Sequence, residues 1–335
     1  MSNKSSSLPP VLVTGGAGYI GSHVVLSLLD RGRDVIVIDN LDSGHRDAVP
    51  APAHLEVADI ADQERIANLV TEHRVREVIH LAGSVRVEES VADPLKYYLN
   101  NTAKSRSFIA ACVAGGVRRF IFSSTAATYG IPAHIPVDER AAVQPINPYG
   151  WSKLMTEQML RDTAQAVPAF DVAILRYFNV AGAEDQGRAG QRTRNATHLI
   201  HVVSQVATGK RDHLEIFGTD YDTPDGTCVR DFIHVMDLAD IHAMMLDTLS
   251  DDAQRARVFN CGYGNGYSVR DVVRAAERVT DRRIPVKTGQ RRPGDPPALI
   301  ACSSQLRRAT GWSPRLADLD TIIASSIAWE ERFAD

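Results

Sequence analysis

The strongest constraint on this chain is the order of residues 11–39: a β-branched run, a spaced glycine triplet, a helix and a second apolar run. Val11-Leu12-Val13-Thr14 reads as a strand. Gly15-x-x-Gly18-x-x-Gly21 follows, then Ser22 to Arg31 with Val25, Leu28 and Leu29 at helical spacing, and Gly32 as the C-terminal stop. Val35-Ile36-Val37-Ile38 is apolar throughout, as in a strand covered on both faces. Each glycine removes a Cβ from the turn or from the helix–sheet contact. Bare backbone can then approach a pyrophosphate, at a helix N-terminus that offers free N–H groups and a positive dipole. A ligand-free strand-to-helix turn would use the same residues, so the triplet gains meaning from context. That context is Asp39, 18 residues after Gly21 at the end of the next strand, where a carboxylate can accept from both ribose hydroxyls.

The alternation continues with helix 62–73, strand 78–81, helix 94–115, strand 119–123, helix 150–166 and strand 172–175. Strands separated by helices predict an α/β fold: a doubly wound parallel sheet of Rossmann type with a smaller C-terminal α/β substrate lobe. A length of 335 residues agrees, suiting two domains or one large unit with a lobe, at ~150 residues each. Past residue 180 come a polar Gly/Arg-rich loop over 182–196, a helix over 199–208 and a strand over 214–217. A turn-rich stretch over 220–226, a strand and helix over 230–249, and helices over 268–280 and 318–333 complete the chain.

Charge and composition exclude several classes. The net charge is −4, from 37 basic and 41 acidic residues with no basic block, which leaves counterion release on nucleic acid little to work with. Cys112, Cys228, Cys261 and Cys302 are scattered with no C-x-x-C pair, so reduced thiols in a cytoplasmic protein are expected, not a disulfide framework or zinc cluster. The polar N-terminus carries no apolar targeting segment, and no apolar run approaches the ~20 residues of a membrane span. A soluble protein with no membrane and no nucleic-acid partner follows as an expectation.

An acid at position 39 repels a 2′-phosphate, so NAD is expected over NADP; Arg33 and Arg46 flank the position without replacing the carboxylate. Asp59-Ile60 meets the adenine edge or caps helix 62–73, and the two roles are compatible. Tyr149 and Lys153 stand at i, i+4 on one helix face. Free tyrosine, with a pKa of ~10, is a poor base at neutral pH. A neighbouring ammonium and the positive ring of oxidised nicotinamide both favour phenolate, and a shift of two or three units is worth roughly 3–4 kcal/mol. Phenolate can take a proton from a substrate hydroxyl while its carbon delivers hydride. A surface Tyr-x-x-x-Lys pair is the plain alternative. Against it, Phe122-Ser123-Ser124-Thr125 and Phe178-Asn179 end strands at the carboxyl edge, where open sheets bind ligands. A hydroxyl such as that of Thr125 can bond the reacting oxygen, and the Asn179 amide a phosphate or sugar. This chemistry needs no metal, and His45, His54, His73, His213 and His242 show no paired ligand spacing.

The constellation resembles the extended short-chain dehydrogenase/reductase superfamily and, within it, the UDP-glucose 4-epimerases. The similar text runs from Thr14 to His23, through Asp39-Asn40-Leu41, His80-Leu81-Ala82-Gly83, Tyr149 to Lys153, Leu175 to Asn179 and Gly226 to Asp240, to Arg292-Pro293-Gly294-Asp295. The resemblance implies tightly held NAD and interconversion of UDP-glucose and UDP-galactose. Tyr149 would deprotonate the C4 hydroxyl, hydride would pass to NAD, and the 4-keto sugar would turn over and take the hydride back on its other face. It places Gly15, Gly18, Tyr19, Ile20, Gly21, Asp39, Asn40, Asp59, Ile60, Leu81, Ala82, Gly83, Asn100, Lys153 and Phe178 at the cofactor. Thr125, Tyr149, Asn179, Arg230, Arg292 and Asp295 would meet the UDP-sugar. Residues 10–180 plus about 233–262 would form the NAD-binding domain, 181–232 and 263–335 the UDP-sugar-binding lobe, and 1–9 a disordered tail. A homodimer would form through helices 94–115 and 150–166.

Departures from the family text are informative. Relatives often carry lysine after His-x-Ala-Gly; here Ser84-Val85 stands, and Arg86 is not assumed to replace it. His198 occupies an asparagine position and could donate to a phosphate or cap its helix. Leu299 stands where tyrosine is common, a smaller gate that would admit N-acetylated hexosamines. Arg230 and Arg292 suit a diphosphate clamp; the alternatives are an ion pair with Asp231 or Asp237 for Arg230, and a solvated loop charge for Arg292. A 4,6-dehydratase would need an acid and a base where Ala126-Ala127 follows Thr125. A UDP-pentose 4-epimerase shares the chemistry, and an NAD-binding sensor would not need the Tyr–Lys pair.

Overall fold

The computed structural model describes residues 8–193, 197–249, 255–292 and 295–332; most of the expected tail, residues 1–7, lies outside them, as do Pro293 and Gly294. In chain order the elements begin with β1 (Val11–Thr14), α1 (Tyr19–Asp30), β2 (Val35–Asp39), β3 (His54–Val57), α2 (Gln63–Glu72), β4 (Glu77–His80), α3 (Val87–Ala92), α4 (Pro94–Tyr97) and α5 (Lys104–Ala114). Next come β5 (Arg119–Thr125), α6 (Pro148–Ala166), β6 (Asp171–Tyr177), β7 (Asn179–Ala181), α7 (Leu199–Ala207), β8 (Leu214–Phe217), β9 (Val229–His234) and α8 (Val235–Thr248). The chain closes with β10 (Ala256–Cys261), β11 (Gly266–Ser268), α9 (Val269–Thr280), β12 (Val286–Gly289), β13 (Ala298–Leu299), α10 (Ser304–Thr310) and α11 (Leu319–Glu331).

Seven strands form one parallel sheet in the order β10-β6-β5-β4-β1-β2-β3. The direction of winding reverses between β1 and β4, and such a switch point opens a crevice at the carboxyl ends of the strands. Alternate side chains explain the continuous apolar runs. Val11, Val13, Val35 and Val37 enter a core shared with α1 and α8, while Leu12, Ile36 and Ile38 enter a second core with α2, α5 and α6. The doubly wound fold read from the sequence is the one observed. In the smaller lobe β9 pairs with β7, β11 and β13, and β8 pairs with β12.

Among the departures from expectation, three bear on the sheet and the site. The helix expected over 94–115 is α4 and α5 joined by a π turn, Tyr98–Ala103. The wider turn brings Asn100 and Asn101 together onto Ser84, through bonds of 2.9 Å to its Oγ, 2.7 Å from its N–H and 3.0 Å to its carbonyl. The N-cap of α2 is Asp62, which accepts from Arg65 N at 3.2 Å, so the capping role considered for Asp59 falls elsewhere. Strand β10 was not expected at all, because Arg257 and Asn260 interrupt its apolar run; it pairs with β6 over six residues.

Candidate functional site

The turn after β1 has no room for side chains. Gly15 has φ +69°, and a Cβ there would lie 2.8 Å from Ala82 N; one on Gly21 would lie 2.0 Å from the Gly15 carbonyl. Gly18, at the N-cap of α1, supplies no side-chain bond, so the first-turn N–H groups remain available to an anion. Asp39 closes this end. Its two oxygens accept from Ala17 N at 3.0 Å and Leu41 N at 2.8 Å, which aims the carboxylate, and burial raises its pKa against the pull of those bonds. A bare glycine cradle, a helix N-terminus and an aimed acid together fit a dinucleotide.

A cleft of about 1530 Å³ opens from this turn. That exceeds the ~300–1,000 Å³ of one small-molecule pocket and leaves room for a second ligand. Its walls carry the whole expected cofactor set except Lys153: Gly15, Gly18, Tyr19, Ile20, Gly21, Asp39, Asn40, Asp59, Ile60, Leu81, Ala82, Gly83, Asn100 and Phe178. The expected substrate set lines the same space: Thr125, Tyr149, Asn179, His198, Arg230, Arg292, Asp295 and Leu299. Asp59 is tied to Lys104 at 2.5 Å.

Helix α6 starts where it does because Asn147 Oδ1 accepts from Gly150 N at 2.9 Å and Pro148 occupies the first position. Tyr149 thus sits in the first turn, at the edge where β5 ends in Thr125. Burial pushes the Tyr149 phenol up, and a hydrogen bond with Thr125 pulls it back. The Thr125 oxygen already accepts from Ala127 N at 3.1 Å, which leaves its proton to donate. Lys153, 2 % exposed, lies behind Gly83 and donates to the Ser123 carbonyl at 3.1 Å. Among the described residues no hydrogen bond joins it to Tyr149. The ammonium is thus held by the Ser123 carbonyl and not by the phenol oxygen. Burial pushes Lys153 down to about 8 against an upward pull from Glu157.

The basic wall also differs from the sequence alternatives. Arg230 meets neither Asp231 nor Asp237; it pairs with Asp295 at 3.3 Å, because β13 runs parallel to β9 with Leu299 beside Arg230. Asp231 is spent on backbone N–H groups of Tyr263, Gly264 and Ala301. Arg292 is no free loop charge: its guanidinium lies 3.8 Å over Phe217 and 3.2 Å from Glu88 on α3. His198 stands at the N-cap of α7 without capping it through its side chain. Sequence reasoning missed Asn101, whose side chain also donates to Ser152 at 3.0 Å, and the Glu157–Arg176 pair; its only signal was that Glu157 extends the Tyr149–Lys153 spacing by one more turn. Among the described residues no group of three or more His, Cys, Asp or Glu is placed to hold a metal ion, and no helix is long and apolar enough to cross a membrane.

Fold and cleft define an NAD-dependent enzyme on a doubly wound sheet, and the chain belongs to the NAD dependent epimerase/dehydratase family, whose model matches residues 11–262. It is 52% identical over 330 residues to a UDP-glucose 4-epimerase of Azospirillum brasilense, covering 98% of this chain and 94% of that protein. The crystal structure of UDP-glucose 4-epimerase from Brucella ovis in complex with NAD is similar, with TM-score 0.91 and 43% identity, covering 96% of this chain and 98% of that one. So is the Bifidobacterium longum enzyme in complex with NAD+ and UDP, with TM-score 0.92 and 38% identity, over 97% of this chain and 98% of that one.

Proposed function

We propose that this chain interconverts UDP-glucose and UDP-galactose by inverting C4 through a transient 4-keto sugar, with NAD tightly held. The observation that carries this reading is a single cleft lined at one end by the glycine turn and Asp39 and further along by Thr125, Tyr149 and two arginines. The chemistry that bound NAD would supply here is a hydride acceptor and donor with a positively charged ring in its oxidised form. Asp39 would accept from its ribose hydroxyls, and the first turn of α1 would hold its pyrophosphate. Tyr149 takes the proton of the C4 hydroxyl and later returns it, Thr125 donates to the reacting oxygen, and Lys153 supplies positive charge from behind Gly83. Arg230 and Arg292 clamp the substrate diphosphate, Arg292 exchanging Glu88 for it.

Elimination of water is disfavoured, because Ala126 and Ala127 line the cleft beside Thr125 and methyl groups move no protons. Leu299 packs in a small apolar cluster with Tyr129, Val137, Phe178 and Ala301, and supports no N-acetylhexosamine or pentose substrate over the hexose. Residues 10–180 with about 233–262 hold NAD in this reading, and 181–232 with 263–335 hold the UDP-sugar. The four unpaired cysteines support work in the cytoplasm. The deciding experiment denatures the purified protein, assays released NAD, and follows UDP-galactose to UDP-glucose with no cofactor added. Release of NAD and turnover are expected; absence of turnover by NAD-loaded protein rejects the reading.

A second copy of the chain is the proposed partner. Leu95, Leu99, Trp151 and Met155 are exposed on α4, the π turn and α6, with Leu95 at 76 %, an apolar face that a paired copy would cover. Sedimentation velocity is expected to show a dimer for the wild type and a monomer for Leu95→Glu/Trp151→Glu; an unchanged sedimentation coefficient in the double variant rejects this face.

A further inference from the structure

Tyr149, Lys153 and Glu157 stand one turn apart along α6, and all three are buried. Glu157, wholly buried, receives a two-pronged pair from Arg176 on β6: Nε to Oε1 at 2.9 Å and Nη2 to Oε2 at 2.6 Å. Ser124 Oγ donates to the same carboxylate at 2.5 Å, and Arg161 approaches to 3.7 Å. Ser124 lies between Ser123, whose carbonyl receives the Lys153 ammonium, and Thr125, which bonds Tyr149. One carboxylate thereby ties α6, β6 and the reactive end of β5 together.

Glu157 is the carboxylate that acts on Lys153 itself: Glu139 faces Arg176 and Tyr129, Glu89 is reached through Tyr97, and His242 on α8, which bonds Ser123 at 2.8 Å, is pushed down by burial to about 4. From β4, His80 faces Lys153, and burial pushes it down to about 3, so it is neutral. From β6 come Arg176 and Tyr177, the latter pushed up by burial. Tyr129, beneath Arg176 at 4.8 Å, is also pushed up, and it donates to Asn260. Tyr97 on α4 packs edge-on against Tyr149 and is turned to Glu89. The Phe122 ring lies 5.0 Å from the ammonium. A buried Glu–Arg pair often stabilises a fold no better than apolar side chains of the same size, so stability alone is a poor reason for this one.

We propose that Glu157 is a positioning residue of the reaction: from one turn below it keeps Lys153 an ammonium and locks the end of β5 against α6, with Arg176 as the counter-ion that allows a carboxylate there. The proposal rests on the assignment of Tyr149 and Lys153 to proton transfer made above. Glu157→Gln alone would strand Arg176 in the interior and risks the fold. The double variant Glu157→Gln/Arg176→Gln replaces the ion pair with two amides that can bond each other. Holoprotein labelled with 13Cε-lysine has only six lysines to resolve, and Lys153→Met identifies the signal.

The Lys153 midpoint is expected to fall by up to about one pH unit in the double variant: Glu157 is the charge that raises Lys153, whereas the departing Arg176 guanidinium acts on Glu157 and Tyr129 and offsets only part of the loss. The basic limb of kcat for UDP-galactose should move down by the same interval, with KM changed less than about twofold. A folded double variant whose Lys153 midpoint does not move overturns the proposal and leaves the pair a packing device. A lowered midpoint in the double variant, with a wild-type holoprotein that itself turns over no UDP-galactose, supports the coupling and rejects the functional reading instead. Should the double variant not fold, the same titration is read in Glu157→Gln/Arg176→Met, where an unmoved midpoint again overturns it.

Discussion

Replacing Tyr149 with phenylalanine is expected to lower kcat by about 10²–10⁴-fold, the range for loss of a positioned proton-transfer group, with NAD content unchanged. The substitution removes one oxygen from a ring that is 6 % exposed and packed edge-on against Tyr97 at 6.4 Å, so the packing stays in place. Thr125 and Lys153 cannot take over. Thr125 is a hydroxyl with no base to relieve it, and Lys153 reaches the Ser123 carbonyl from behind Gly83 instead of the cleft. Turnover of UDP-galactose and NAD recovered on denaturation are the two measurements. A loss below about tenfold with full NAD content would remove Tyr149 from the chemistry.

Gly21→Ala is expected to damage the cofactor turn more than any other part of the fold. Its Cβ would stand 2.0 Å from the Gly15 carbonyl and 2.7 Å from Gly16 Cα, and both neighbours are backbone. Overpacking of about 1–3 kcal/mol is usual where side chains can yield; here the turn itself must open. NAD affinity is expected to fall by at least about tenfold, or 1.4 kcal/mol, measured as NAD retained through gel filtration. Gly32→Ala is the control. Gly32 also has positive φ, +72°, but nothing lies within 4 Å of its Cβ, so it should lose about 1 kcal/mol in stability and keep its NAD.

The half of the site built from local pattern was legible in the sequence. A strand, a glycine turn, a helix and a terminal acid are consecutive, so their contacts follow from spacing, and Tyr149 with Lys153 needs only helical periodicity. Side chains whose partners are backbone or come from distant strands were not legible. Lys153 is directed by the carbonyl of Ser123, which no residue identity advertises. Arg230 lies next to Asp231 in sequence, yet pairs with Asp295 because β9 and β13 run side by side; Asp231 is turned inward by three backbone donors. Asn101 escaped notice because its use depends on a π turn, and the apolar pattern of residues 94–115 suits an unbroken helix equally well. Arg176 disappears inside an apolar strand, where its charge is tolerable only because α6 delivers Glu157 to it.

The arrival of β10 at the outer edge of β6 makes the molecule hard to dissect. Six residues from the far end of the chain, Ala256–Cys261, complete the hydrogen-bond ladder along Val172–Tyr177. A fragment ending near residue 180 would expose that edge as a sticky template for its neighbours. Protein engineers seeking a minimal dinucleotide module from this scaffold would need to graft the late strand back by circular permutation or a linker, since simple truncation discards it.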